Sequence, residues 1–226
     1  MTARICVSIL PKNNHEALSL IKKAEKAQAN LIEVRLDCFE APTNLSELVE
    51  SAKIPLIATN KLLIEKGFFA GTETERQKTL LNAAKNGFEY VDIDLSSPKH
   101  KETIKKLEPL GAKPIVSYHK FDGALSAHEM EKVLEQEIAT GAIVCKIVTT
   151  AKKIEDNLAV LNFVSTMSSK AKLVCFCMGE PGKVSRLLSP LFGAFFTIAS
   201  LEQGKETASG QMTIPKMRAA LELLGG

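Results

Sequence analysis

The feature that most restricts the fold is an alternation. A short apolar run of strand length is followed by a longer amphipathic stretch, and the pair recurs eight times along 226 residues. The runs occupy residues 5–10, 31–36, 54–59, 90–95, 113–118, 143–148, 172–178 and 194–198. They are rich in β-branched side chains, which suit a pleated, buried backbone. Helical patterns fill the intervals at 15–29, 45–52, 73–86, 99–110, 126–140, 152–168, 183–191 and 214–224. Gly87, Gly111 and Gly141 stand just past three of them, where a residue that accepts positive φ ends a helix. Strand then helix, repeated, predicts parallel strands joined by crossover helices. Eight such units predict a (β/α)8 TIM barrel, a single domain over residues 1–226, at the compact end of its size range. The alternative is a doubly wound open sheet. Against it, Pro11-Lys12-Asn13-Asn14 follows the first strand, where that fold wants a glycine-rich phosphate loop.

Composition narrows the function classes. With 45% hydrophobic and 24% charged residues the chain is an ordinary globular protein, not a disordered or disulfide-scaffold one. No apolar run approaches the ~20 residues of a membrane span, and the start has no long apolar core followed by small residues. A net charge of +3 without a basic cluster interleaved with aromatics gives no case for nucleic acid. Five scattered cysteines, Cys6, Cys38, Cys145, Cys175 and Cys177, fit reduced thiols in a cytoplasm. The expectation is a soluble, intracellular domain that works on neither membrane nor nucleic acid.

Parallel strands covered on both faces should be nearly unbroken apolar runs, so the charged exceptions carry information. Glu33, Arg35 and Asp37 alternate along the second run and share one face. In a closed barrel that face has no solvent, and three ionised groups there must be paired or bound to a ligand. The sixth run carries one charge, Lys146. A lysine can snorkel out of a strand end, but two β-branched residues follow this one. Burial disfavours its charged form and is expected to lower its pKa, which would leave a neutral amine able to attack a ketone or aldehyde. His119 ends the fifth run, on the strand adjacent in order, ~4.8 Å away. It is read either as a structural histidine or as a proton carrier for the same small molecule. Asp92 and Asp94 share a face of the fourth run, as site residues or as strand-end caps. The turn from Met178 to Arg186 is glycine-rich and supplies a guanidinium, a setting for a phosphate or carboxylate or simply a tight turn. Glu206 to Gln211 reads as a mobile lid or as an ordinary surface loop. Cys175 and Cys177 are read as buried apolar residues, since no second pair at ligand spacing completes a metal site.

Taken together, Glu33-Val34-Arg35-Leu36-Asp37, Ser117-Tyr118-His119-Lys120-Phe121, Lys146-Ile147, Gly182 with Ser185-Arg186, and Gly210-Gln211 resemble type I 3-dehydroquinate dehydratase, in order and from first strand to last helix. The resemblance implies a barrel, usually a homodimer, that converts 3-dehydroquinate to 3-dehydroshikimate in the shikimate pathway with no metal or organic cofactor. It implies that Lys146 forms an imine with the substrate ketone, that His119 is the general acid/base, and that Glu65 orients the histidine. It implies ring-hydroxyl contacts from Glu33 and Arg35. It implies a carboxylate pocket of Arg186, Thr207 and Gln211, and contacts to the ring from Met178 and Ala208. Three departures stand out. Asn60-Lys61 replaces a common Phe-Arg pair, so Lys61 is expected to bind hydroxyls without the planar fork of arginine. Lys66-Gly67-Phe68-Phe69 replaces a Gly-Gly after Glu65. Phe176 and Ile198 replace a Met and a Phe. The rivals are another lysine-imine barrel, an aldolase or transaldolase, and a catalytically silent barrel used for binding.

Overall fold

The computed structural model describes residues 3–40 and 43–225. Eight parallel strands form one sheet: β1 (Ile5–Ile9), β2 (Leu31–Arg35), β3 (Leu56–Thr59), β4 (Tyr90–Asp94), β5 (Lys113–His119), β6 (Val144–Thr150), β7 (Leu173–Met178) and β8 (Thr197–Ser200). Neighbours in the chain are neighbours in the sheet from β1 to β7, and β8 pairs back onto β1. The remaining seam, between β7 and β8, is joined by Phe195 N–H donating to Leu173 O at 2.8 Å. The result is the nearly closed (β/α)8 barrel that the alternation predicts. Helices α1 (Asn14–Lys26), α2 (Leu45–Ser51), α3 (Glu73–Lys85), α4 (His100–Leu107), α5 (Ala127–Ala139), α6 (Asp156–Met167) and α7 (Lys183–Leu188) link the strands in turn, and α8 (Ile214–Leu223) follows β8. None is long and apolar enough to cross a membrane.

Helix starts follow side-chain chemistry. Thr72 with Glu75 and Ser126 with Glu129 form capping boxes on α3 and α5, and Asn13 caps α1. Several boundaries differ from the sequence reading, and three of the differences have a visible cause. Strand β2 stops at Arg35, because Leu36–Cys38 coil into a 3₁₀ turn that takes Asp37 out of the strand. Helix α6 starts four residues later than the pattern, since Asp156 turns back to accept from the Lys152 and Lys153 N–H groups. Strand β8 is shifted along the chain to Thr197–Ser200, because Phe195 is spent on the seam.

Each strand sends alternate residues to two cores. The outward set, such as Val7, Ile32, Val34, Ala58, Val91, Val116, Ile147, Cys175 and Cys177, packs beneath the helices. The inward set is layered. Cys6, Leu31, Ile57, Tyr90, Ile115, Val144, Val174 and Phe196 make an apolar lower barrel. At that lower end Arg4 and Lys172 lie over the Phe195 ring and Lys113 over Tyr90, at 4.4, 5.4 and 5.5 Å from the centroids. The next inward layer toward the C-terminal ends is polar, and there the site forms.

The β7–α7 corner is held by one buried side chain. Asn157 donates to Ile154 O and Pro181 O, both at 2.8 Å, and accepts from Ser185 N–H at 3.0 Å. The Ser185 hydroxyl in turn accepts from Cys177 N–H at 2.9 Å. Asn157→Ala strands those groups in the interior. The expected cost is about 2 kcal/mol, read as a Tm lower by roughly 4–8 °C for a chain of this size.

Candidate active site

A cleft of about 320 Å³ opens at the C-terminal end of the barrel. Strand register builds its floor. Ser8 stands beside Glu33, Arg35 beside Thr59, Thr59 beside Asp92, Asp94 beside Ser117, and Ser117 beside Lys146. The side-chain period of two sends all of these inward, so polar groups from six strands meet in one layer.

Lys146 lies at its centre. Its ammonium donates to Asp92 Oδ2 at 2.8 Å and Glu33 Oε1 at 3.4 Å. Glu33 is held in turn by the hydroxyls of Ser8 and Thr59, at 2.6 and 3.0 Å. Burial alone would lower the pKa of Lys146, but the Asp92 and Glu33 carboxylates outweigh it and push it up. The expected depression is therefore corrected. The chain isolates the lysine from water yet surrounds it with negative charge, which holds it as an ammonium. Burial likewise works against the ionised forms of Asp92 and Glu33, and Lys146 prevails in holding both below the usual carboxylate range.

Asp92 binds a second lysine. Lys61 Nζ is 2.9 Å from Asp92 Oδ1, 3.0 Å from Ser117 Oγ and 3.6 Å from Asp94 Oδ2. Two of its donors are thus hydrogen-bonded to Asp92 and Ser117 and Asp94 is an ion-pair neighbour, while Lys61, expected to bind substrate hydroxyls, also lines the cleft. Neighbouring Asn60 is buried with both side-chain amide atoms unpartnered.

His119 sits one strand from Lys146, partly open to the cleft, and stacks on Phe121 at 5.8 Å. Burial lowers its pKa well below the ordinary value, and the Lys61 and Lys146 cations lower it further, so the imidazole is neutral. The carboxylate near its Nδ1 is that of Asp94, 3.9 Å away and beyond hydrogen-bond reach. Glu65 is not bonded to it. That carboxylate accepts from Leu62 N–H at 2.9 Å and from Arg76 at 3.2 Å, and Arg76 is itself bound by Glu73. The expected orienting role of Glu65 does not match this geometry. Lys66, at φ +59°, carries the chain away after Glu65 and lays its ammonium 4.5 Å over the Phe121 ring. The pair capping Leu62 and the reversed backbone at Lys66 together aim Glu65 at Arg76.

Arg35 is gripped by Asp37 through two hydrogen bonds, one of 2.8 Å from Nε to Oδ1, and Phe68 N–H donates to the same carboxylate. Across the cleft Arg186 differs from every other cation here. It is 1% exposed, its Nη1 donates to Ile198 O at 3.3 Å, and its Nε and Nη2 have no partner. Its guanidinium lies 4.2 Å from the Phe176 centroid. Burial without a carboxylate pushes its pKa down to about 9. Beside it, Gln211 and Thr207 bond reciprocally, side-chain amide to hydroxyl at 2.7 Å and backbone N–H to amide oxygen at 2.8 Å. Met178, Thr207, Ala208 and Gln211 all line the cleft. Gly210, at φ +81°, lies against Gly179, where any Cβ would come within 2.2 Å of the Gly179 carbonyl. Gly179 N–H also donates to Ser209 O at 3.0 Å.

All eleven residues assigned to the site from the sequence, Lys61 and Glu65 included, line this cleft, whereas Asp37 lines a second cavity and Cys175 and Cys177 face the helices. The reading left Asp92 and Asp94 undecided and did not single out Ser8 or Thr59. The signal for Asp92 was present: a carboxylate facing inward in the same layer as the lone lysine of β6.

A buried guanidinium with free donors penalises the folded state. Its folded pKa lies below its unfolded value, so the penalty is complete below pH 9 and fades as pH rises through that value. Arg186→Met is expected to leave the Tm at pH 7 unchanged or higher; a Tm lowered by several degrees would contradict that reading.

Comparisons with known proteins point one way. The family model described as type I 3-dehydroquinase matches residues 5–226. A 3-dehydroquinate dehydratase of Dehalococcoides mccartyi (strain CBDB1) is 39% identical over 197 residues, 87% of this chain and 86% of that protein. One from Methanococcus maripaludis (strain S2) is 34% identical over 97% of this chain and 99% of its own. The crystal structure of 3-dehydroquinate dehydratase from Geobacillus kaustophilus superposes with a TM-score of 0.90 at 24% identity, covering 100% of this chain and 92% of that one. A type I enzyme from Clostridium difficile with covalently modified comenic acid gives 0.89 over 98% and 92%, also at 24% identity. These last two likenesses concern the fold.

Proposed function

The chain belongs to the type I 3-dehydroquinase family, and on that premise we propose which of its residues carry the family's reaction. It dehydrates 3-dehydroquinate to 3-dehydroshikimate, a step of the shikimate pathway, through a lysine Schiff base. One observation carries the assignment of residues. Lys146 and His119 lie on adjacent strands of a cleft whose other wall presents Arg186 with two unpaired donors.

The substrate carboxylate supplies the anion that Arg186 lacks, in a bidentate pair across Nε and Nη2, with Gln211 and Thr207 beside it. Glu33 and Arg35 take ring hydroxyls, while Met178 and Ala208 border the ring. Anchored this way, the ring ketone meets Lys146. The ammonium's proton passes to the carbonyl oxygen as the amine adds to the carbonyl carbon, and with a second proton from the nitrogen that oxygen leaves as water, giving the protonated imine. That imine withdraws electrons more strongly than the ketone and acidifies the adjacent C–H. Neutral His119 removes this proton, leaving an enamine. Nδ1 faces Asp94, so Nε2 is the nitrogen assigned to the transfer. Collapse of the enamine expels the β-hydroxyl, which takes a proton from the imidazolium and departs as water. A second water hydrolyses the conjugated imine, releasing the enone and restoring Lys146. Glu65 acts at a remove, holding Arg76 and the loop that follows β3.

The family's usual homodimer is the assembly we assign to this chain, and a mass in solution of twice the monomer checks it. The cytoplasm is the compartment assigned, supported by five cysteines that all remain free thiols. Residues 1–226 are taken as one functional unit.

Borohydride added with 3-dehydroquinate, followed by peptide mapping, tests the assignment. A reduced adduct on Lys146 is expected, and an adduct on Lys61 instead would sink it. His119→Ala should lose about 10²–10⁴ in kcat while still forming that adduct; unchanged turnover would remove the histidine from the mechanism.

A further inference from the structure

The residue left without a task is Lys61. It is buried, 7% exposed, and stands inside a chain of alternating charge that runs from the imine-forming lysine to the histidine. Lys146 is 2.8 Å from Asp92, Asp92 is 2.9 Å from Lys61, Lys61 is 3.6 Å from Asp94, and Asp94 is 3.9 Å from His119. The remaining Lys61 contact is Ser117 Oγ, which also donates to Asp92 Oδ1 at 2.8 Å. The two hydrogen bonds hold this ammonium against β4 and β5, at the edge of the cleft it lines.

We propose that Lys61 is a positioning residue that couples Lys146 to His119 by sharing Asp92 with the first and Asp94 with the second. The inference rests on the assignment of Lys146 and His119 given above. Its physical basis is the step at which Lys146 becomes a neutral amine. Asp92 then loses one of its two cations, and a lone buried carboxylate would hold the lysine's proton tightly. Lys61 remains as the second cation and lets that proton go. The same ammonium faces His119 and opposes protonation of the imidazole. The charged groups around that ring are Asp92 and Asp94 from β4, Lys61, Glu65 and Lys66 from the segment after β3, Lys146 from β6, and Glu33 and Arg35 from β2. Burial is the first cause of the neutral histidine and Lys61 the next, ahead of Lys146 and Arg35.

Lys61→Gln and Lys61→Arg separate this role from substrate binding. Removing a positive charge raises the pKa of His119 and of Lys146 together. In Lys61→Gln the acid limb of kcat should therefore move up by about one pH unit. Turnover at a pH on that limb should fall about tenfold, with KM within about twofold. Lys61→Arg keeps the charge and should retain the wild-type limb. A Lys61→Gln limb that does not move overturns the proposal. So does a KM raised tenfold or more at an unmoved limb, which would mark Lys61 as a substrate ligand. Should Lys61→Gln fail to fold, the borohydride-reduced wild-type adduct decides by its structure. Lys61 Nζ still hydrogen-bonded to Asp92 supports the proposal, and Nζ turned onto a ring hydroxyl overturns it. An adduct absent from Lys146 would overturn the underlying assignment, a result the limb shift does not mimic.

Discussion

The upper half of this barrel depends on one carboxylate. Asp92 is sealed from solvent, and taking such an ion out of water costs several kcal/mol unless partners surround it. Here an ammonium sits on each of its two oxygens and Ser117 adds a hydroxyl. The partners come from the end of β3, from β5 and from β6, so the pairing also fixes how those elements stand around β4. Without the carboxylate, two lysines would face each other in a closed space. Removing either lysine instead would leave the carboxylate half-compensated. Catalytic placement and the integrity of the polar layer are therefore the same set of contacts.

The cleft divides its charges into two kinds. On the Lys146 side every ion is answered: Lys146 by Asp92 and Glu33, Arg35 by Asp37, Lys61 by Asp92 and Asp94. On the Arg186 side no carboxylate answers: Ile198 O takes one donor, Phe176 lies under the guanidinium, and two donors are left open in the interior. A ligand with one negative group is drawn to the unanswered side. Its neutral, hydroxylated body is then left against the compensated side, where proton positions are already set. On the proposed assignment this asymmetry selects an orientation as well as an affinity, with the ketone at the lysine.

Much of this was legible in the chain. The eight-fold alternation yields the barrel, because short β-branched runs can only be covered on both faces by the amphipathic segments between them. Lys146 and the Glu33–Arg35 face stood out as charges in strands that burial should keep apolar. Less legible was the sign of the lysine's pKa. Burial is visible in one strand, whereas the carboxylates that reverse its effect come from two others. Glu65 shows the same limit. Its neighbours in sequence predict a carboxylate near the cleft, but the left-handed turn at Lys66 and the reach of Arg76 from α3 decide where it points. The Asp37 turn and the start of β8 were missed for a related reason. A carboxylate turning back on Arg35 and a backbone group closing the seam both override the local pattern.

The contact between Gly179 and Gly210 joins the loops after β7 and β8 by main chain alone, through the Gly179-to-Ser209 hydrogen bond and a separation that admits no side chain. Because no side chain makes that clasp, the neighbouring positions that line the cleft, Met178 at the end of β7 and Thr207 and Ala208 on the loop after β8, take no part in it. Over descent such positions can exchange one residue for another and reshape the ring contacts, while the two glycines stay constrained. The clasp thus separates what recognition can vary from what the scaffold must keep.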